Sequence, residues 1–186
     1  MPTAIALINR LFTADQDERI NHPAFGTEPY LKLRENDARR RDQLREVLAR
    51  REVNDGLALY RAAMIFQHGE TLDEIDTAYR LAMRASEAGN RSARWLAACA
   101  RDRWLMYQGL PQQYGTQFVP DGKRQRLWHV DPATTDAERR AWDVSSLAEL
   151  AVEADRLTRA EPVPLLDSAP EWLKAGVEKW KAAGEW

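Results

Sequence analysis

Cysteine, histidine and net charge are all scarce in this chain of 186 residues, which has one Cys, three His and a formal charge of −2. A lone Cys99 excludes an intramolecular disulfide and any multi-cysteine metal cluster, and it suits a reducing compartment such as the cytoplasm. His22, His68 and His129 are too scattered for a histidine-rich metal site, so no metal ligand set is predicted and no cofactor is implied. A carboxylate-rich site with one histidine stays open. With 27 Lys+Arg against 29 Asp+Glu, no global field draws the chain to nucleic acid or to an anionic membrane. The one local basic cluster is Lys123, Arg124 and Arg126 near Trp128 and His129, and three charges on a predicted hairpin read as a solvated edge. No apolar run approaches the ~20 residues that span a bilayer, and the N-terminal M-P-T-A-I-A-L-I-N-R-L-F lacks a basic leader followed by a long apolar stretch. Absent too are H-E-x-x-H, G-x-S-x-G, G-x-G-x-x-G, a Walker loop and a calcium loop.

Helical patterning is plentiful. Helices are expected over Ala4 to Ile20, Glu28 to Arg51 and Leu57 to Gln67, with Asn54-Asp55-Gly56 as a break and Pro29 in a first turn. From Thr71 to Ala88, Ile75, Ala78, Tyr79, Ala82 and Ala85 fall on one face, Thr71 and Glu74 form a capping-box pattern, and Gly89 supplies a stop. Arg91 to Gln108 reads as the second arm of a helical hairpin, closed by Gly109 and Pro111. Phe118-Val119 and Gln125 to Val130 read as two short strands around an Asp121-Gly122 turn. Beyond them, Thr135 or Asp136 would cap a short helix, and Ser145 or Ser146 would open another through Leu147, Leu150, Ala151 and Ala154. The expected fold is therefore mainly α: a single-domain helical bundle, or a short helical-hairpin array, with a small β-hairpin around residues 117–130. Residues 1–160 would form the domain, 161–170 a proline-containing linker or strap, and 171–186 an amphipathic helix packed on the domain or on a partner through Trp172, Leu173, Val177 and Trp180.

The run Glu35 to Glu52 is dense in charge, with Asp37 and Arg41, then Asp42 and Arg45 or Glu46, at helical spacing. Such a run reads as a solvated face whose pairs contribute about 0.3 to 0.5 kcal/mol each.

Chemistry could reside in three places. His68 ends an apolar helix before Gly69, where it can serve as a general acid or base, or can cap the helix and interact with its dipole. Asp102 and Arg103 interrupt the apolar stretch between Trp95 and Trp104: either they tie the helix to the next loop, or Asp102 orients His68 while Arg103 grips an anionic group. The nonapeptide G-L-P-Q-Q-Y-G-T-Q, Gly109 to Gln117, is rich in amides and hydroxyls and has neither a nucleophile nor a base of its own. It would serve as a recognition wall or as a structural clamp. Asp15, Gln16 and Arg19 form a further polar group at helical spacing.

The pieces A-D-Q-D-E-R, D-A-R-R-R, I-F-Q-H-G, A-G-N-x-x-A-R-W-L-A-A-x-A-R-D-R, Gln112 to Gln117 and E-R-R-A-W-D-V together resemble a bacterial family known as a domain of unknown function, over about residues 10 to 150. The resemblance implies a mainly helical fold and groups His68, Asp102, Arg103, Gln112, Tyr114 and Gln117 as one site. It carries no reaction with it.

Two functions follow as expectations. In one, the chain is a small hydrolase or group-transfer enzyme with a polar pocket. His68 and Asp102 are catalytic there, and Arg103, Gln112, Tyr114 and Gln117 bind substrate. In the other, it is a non-catalytic helical interaction module whose polar motifs are structural. The partner classes left open are a small molecule, a peptide and a second copy of the chain. Membrane and nucleic acid are not expected.

Overall fold

The computed structural model describes residues 3–23, 26–50, 52–160, 163–164, 166–167 and 169–184. Among these the protein is mainly helical with one two-stranded antiparallel sheet, as expected. Among the described residues no helix is long and apolar enough to cross a membrane. The chain groups into two compact units, Met1–Ala100 and Arg101–Trp186. The boundaries expected were a domain over 1–160, a linker or strap over 161–170 and a C-terminal helix over 171–186 packed on the domain or on a partner. The C-terminal helix belongs to the second unit.

The first unit holds α1 (Ala4–Asp17), α2 (Glu28–Arg50), α3 (Gly56–Gln67), α4 (Leu72–Glu87) and the start of α5 (Ser92–Tyr107). Side-chain caps mark its helix starts. Thr3 accepts from the Ala6 N–H, Asp55 from Ala58, and Thr71 from Glu74 in a complete capping box. Each such cap contributes about 1 kcal/mol. Gly89 ends α4 in the left-handed region (φ 90°), and the Asn90 N–H closes the turn on the Ala85 carbonyl. Small residues let α3 and α4 approach closely, with Ala58, Ala62 and Ala63 of α3 and Ala78, Ala82 and Ala85 of α4 all buried. Ile8 and Leu11 of α1 and Leu33 and Leu44 of α2 fill the core of this unit.

The second unit contains the end of α5, β1 (Phe118–Pro120), β2 (Gln125–Leu127), α6 (Asp136–Ala141), α7 (Leu147–Ala160) and α8 (Glu171–Ala182). The strands pair with Phe118 opposite Leu127 and Pro120 opposite Gln125, so four residues form the connection. Asp121 builds that loop by accepting from the Lys123 and Arg124 N–H groups, each at 2.9 Å. Thr135, not Asp136, is the cap of α6, and Ser146 pairs with Glu149 at the start of α7. The core is Met106, Val119, Trp128, Leu173, Val177 and Trp180. Gly176 makes this packing feasible, because a Cβ there would lie 2.4 Å from the Trp128 ring. The buried Trp128 indole N–H donates to the Leu110 carbonyl at 2.8 Å. The aromatic face of α8 therefore packs on its own unit. Of the expected strap, Glu161, Pro162, Leu165 and Ser168 lie outside the described residues, while Leu166 packs against the core.

Two expectations about surface charge need correction. In the α2 run, Asp37, Arg40 and Arg41 are buried rather than solvated, because they continue the stripe that Leu33 and Leu44 begin and end. In the basic cluster, the Arg126 guanidinium lies 4.3 Å from the centre of the Trp180 ring, and Asp121 sits within 3.7 Å of it. Only Lys123 and Arg124 stay exposed.

Candidate functional site

The polar nonapeptide is built around Asp102. Helix α5 ends at Gly109 (φ 70°), the Leu110 N–H closing on the Leu105 carbonyl, and the chain turns back along the helix end. Four successive peptide N–H groups then converge on the Asp102 carboxylate. Gln113 and Tyr114 donate to Oδ1 at 2.7 and 2.9 Å, and Gly115 and Thr116 to Oδ2 at 2.9 Å each, joined by the Thr116 hydroxyl at 2.9 Å. Such a concave run of N–H groups is an anion nest, here filled by the chain's own carboxylate. Gly115 permits it on two counts: its φ is 99°, and a Cβ would stand 2.8 Å from Leu150 Cδ1. Burial pushes the Asp102 carboxyl above its ordinary value, against the opposing pull of the five donors.

The neighbouring side chains are similarly committed. Gln112, fully buried, donates to the Gln117 and Trp128 carbonyls (3.1 and 2.9 Å) and accepts from the Gln117 N–H (2.8 Å), which uses both amide hydrogens and the oxygen. Gln117 donates to the Thr116 hydroxyl, and its oxygen lies 3.4 Å from Arg103 Nε. Tyr114 is buried with its ring 5.7 Å from that of Trp142. Buried Arg139 of α6 locks the loop from outside, donating to the Tyr114 carbonyl (2.9 Å), the Thr134 carbonyl and Asp136. The sequence reading passed over Arg139, whose surroundings are assembled from a loop about 25 residues upstream. In this geometry the nonapeptide is a clamp.

Asp102, expected to orient His68, thus spends both oxygens on its own loop. Asp102, Arg103, Gln112, Tyr114 and Gln117 are brought together in the second unit, while His68 belongs to the first. There the carboxylate beside the imidazole is that of Asp15, with His68 Nε2 at 3.5 Å from Asp15 Oδ2. The His68 backbone ends α3, its N–H bonded to the Ile65 carbonyl, and its side chain keeps 23 % of its surface exposed. Gly69 is required next, because a Cβ there would meet Glu74 Cβ at 2.5 Å and the Phe66 carbonyl at 2.9 Å. The F-Q-H-G sequence therefore lets the chain turn tightly into α4.

Around this pair lies a network of buried charge. Asp15 accepts hydrogen bonds from Arg19 (2.9 Å) and Gln16 (2.8 Å). Burial pushes its carboxyl up, but His68, then Arg19 and Gln16, outweigh this and hold it below its ordinary value. Asp37 accepts from Arg19, Arg34 and Arg40, and Glu18 from Arg40 and Asn36. Glu74 resists its own desolvation by accepting from the Glu70 N–H, Arg41 and Arg45, which bring its carboxyl down to about 2. The signal for this network was present in the spacing 33, 37, 40, 41, 44, a helical face that carries charge where leucine is the usual occupant. Among the described residues, no group of three or more His, Cys, Asp or Glu side chains is arranged to hold a metal ion.

Comparison with protein-family models, with curated proteins and with solved structures finds no match to this chain.

Proposed function

We propose that the protein is a small cytoplasmic enzyme of the hydrolase or group-transfer kind, with His68 as the acid–base group. The observation that supports this reading is the 3.5 Å approach of His68 Nε2 to buried Asp15, on an imidazole that still reaches solvent. A histidine backed by a carboxylate is held in one orientation and stabilised when protonated, which are the properties a proton-transfer group needs. Asp15 takes the orienting role first expected of Asp102. The neighbouring α4 capping box and the tight Gly69 turn brace the loop that follows His68.

The test is hydrolysis of chromogenic ester, phosphoester and amide substrates by the wild type and by His68→Asn. Turnover by the wild type should fall by about 10² to 10⁴ in the variant while the thermal melt stays nearly unchanged. Equal rates in both proteins against every substrate would sink the reading.

One observation favours a non-catalytic helical module instead. Asp102, expected to be catalytic, and Gln112, expected to bind substrate, are saturated by their own chain. On that reading His68→Asn lowers the melting temperature without touching any turnover.

A further inference from the structure

We propose that Arg19 is a positioning residue for the His68–Asp15 pair, an inference that rests on the acid–base reading of His68. Arg19 lies four residues after Asp15, in the turn that follows α1, and spans two buried carboxylates. Its Nη1 donates to Asp15 Oδ1 at 2.9 Å and to the Asp15 carbonyl at 3.0 Å, while Nη2 donates to both oxygens of Asp37, each at 2.9 Å. The guanidinium is planar and rigid, so engaging both partners fixes its plane. With Oδ1 held by Arg19, Asp15 turns Oδ2 toward His68 and toward the Gln16 amide. Asp37 is the anchor, gripped from its own helix by Arg34 and Arg40.

The other charges around the pair act at longer range or elsewhere. Arg40 Nε lies 3.6 Å from Asp15 Oδ1, but the Nη2 of Arg40 is committed to Glu18 and Asp37. At the α3–α4 end, Arg41 reaches the His68 carbonyl at 3.4 Å and pairs with Glu74, Arg45 pairs with Glu74 and Asp42, and Glu70 pairs with Arg34. Arg19 is thus the residue whose fork joins Asp15 to the α2 charges at hydrogen-bond distance. A lysine would keep the charge and lose the fork.

The experiment is an NMR titration of the three imidazoles, His22, His68 and His129, in full-length variants, with thermal melts alongside. Asp15→Asn removes the anionic partner and should lower the proton affinity of His68 by about tenfold. Arg19→Lys should lower it by about threefold, because the carboxylate is released to rotate away while the local charge is kept. Arg45→Lys, at a residue that contacts Asp42, Glu74 and the Phe66 ring and not Asp15, should leave His68 unchanged whatever it does to the melt. A shift in Asp15→Asn with none in Arg19→Lys overturns the role of Arg19 and leaves the His68–Asp15 pair standing. No shift in Asp15→Asn overturns the pair itself. Should Arg19→Lys not fold, the wild type decides: a fork held on two carboxylates shows separate, slowly exchanging Nη proton resonances for Arg19. A single averaged resonance at low temperature overturns the proposal. None of these outcomes depends on finding a substrate.

Discussion

Asp37 in the first unit and Asp102 in the second are both fully buried, and they are satisfied by opposite means. Among the described residues Asp37 accepts from side chains alone, the guanidinium groups of Arg19, Arg34 and Arg40. Asp102 accepts mainly from the main chain, four consecutive N–H groups and one hydroxyl. The first arrangement depends on which side chains stand one turn away on the same helix and in the turn after α1, and any arginine can be mutated away. The second depends on a backbone conformation, since peptide donors persist under every substitution but proline. Its vulnerable points are therefore the glycine that permits the bend and the carboxylate that fills it. A buried ionic cluster makes a place for charge to be moved, whereas a filled nest makes a rigid corner. That contrast is why the proton-transfer role is proposed for His68 and the clamp role for the nonapeptide.

The most damaging substitution should be Asp102→Ala. It strands four peptide donors at once, those of Tyr114 and Gly115 buried, and should cost about 4 kcal/mol in urea unfolding, with fast amide exchange appearing at residues 113–116. Asp37→Asn leaves three arginines short of one charge and should cost about 3 kcal/mol. The reverse order would mean that the side-chain network, not the nest, is the more costly to disrupt.

Acid should separate the carboxylates of the first unit. Glu74 is depressed to about 2 from 4.5, so its contribution to stability is present above pH 4.5 and is lost as pH falls through about 2. Glu74→Gln should flatten stability across that window, as read from melts against pH. A curve that keeps its acid slope in the variant would assign the slope to other carboxylates. The gentlest change is Asp143→Gly. Asp143 closes α6 at φ 56°, with the Val144 N–H bonded to the Arg139 carbonyl, and glycine at that left-handed position should raise stability by about 0.5 to 1 kcal/mol. A loss of stability would show that the Asp143 side chain contributes more than its backbone strain costs.

Much of the fold was legible. The helix start announced by Thr71, the break at Asn54-Asp55-Gly56 and the stops announced by Gly89 and Gly109 act within one turn of chain, so the residue and its consequence lie side by side. The hairpin was legible for the same reason, though its loop is four residues because Asp121 builds a wider turn than Asp-Gly alone requires. The candidate site was legible in its members and not in its pairings. His68, Asp15, Asp102 and the loop residues were all singled out as chemically unusual. Which carboxylate faces the imidazole was not readable, because Asp15 and His68 are 53 positions apart and no local rule connects them. Asp37, Arg40 and Arg41 were misread as surface, because a charged side chain carries no mark of the partner that will bury it.

Local chemistry in the chain thus dictates the helices, their caps and their order, since hydrogen bonds of one to five residues' span decide those. Where each charge ends up is a property of the packed molecule. A buried carboxylate needs donors beyond those its own helix turn offers, and folding alone brings Arg19 to Asp37 and the peptide groups of 113–116 to Asp102.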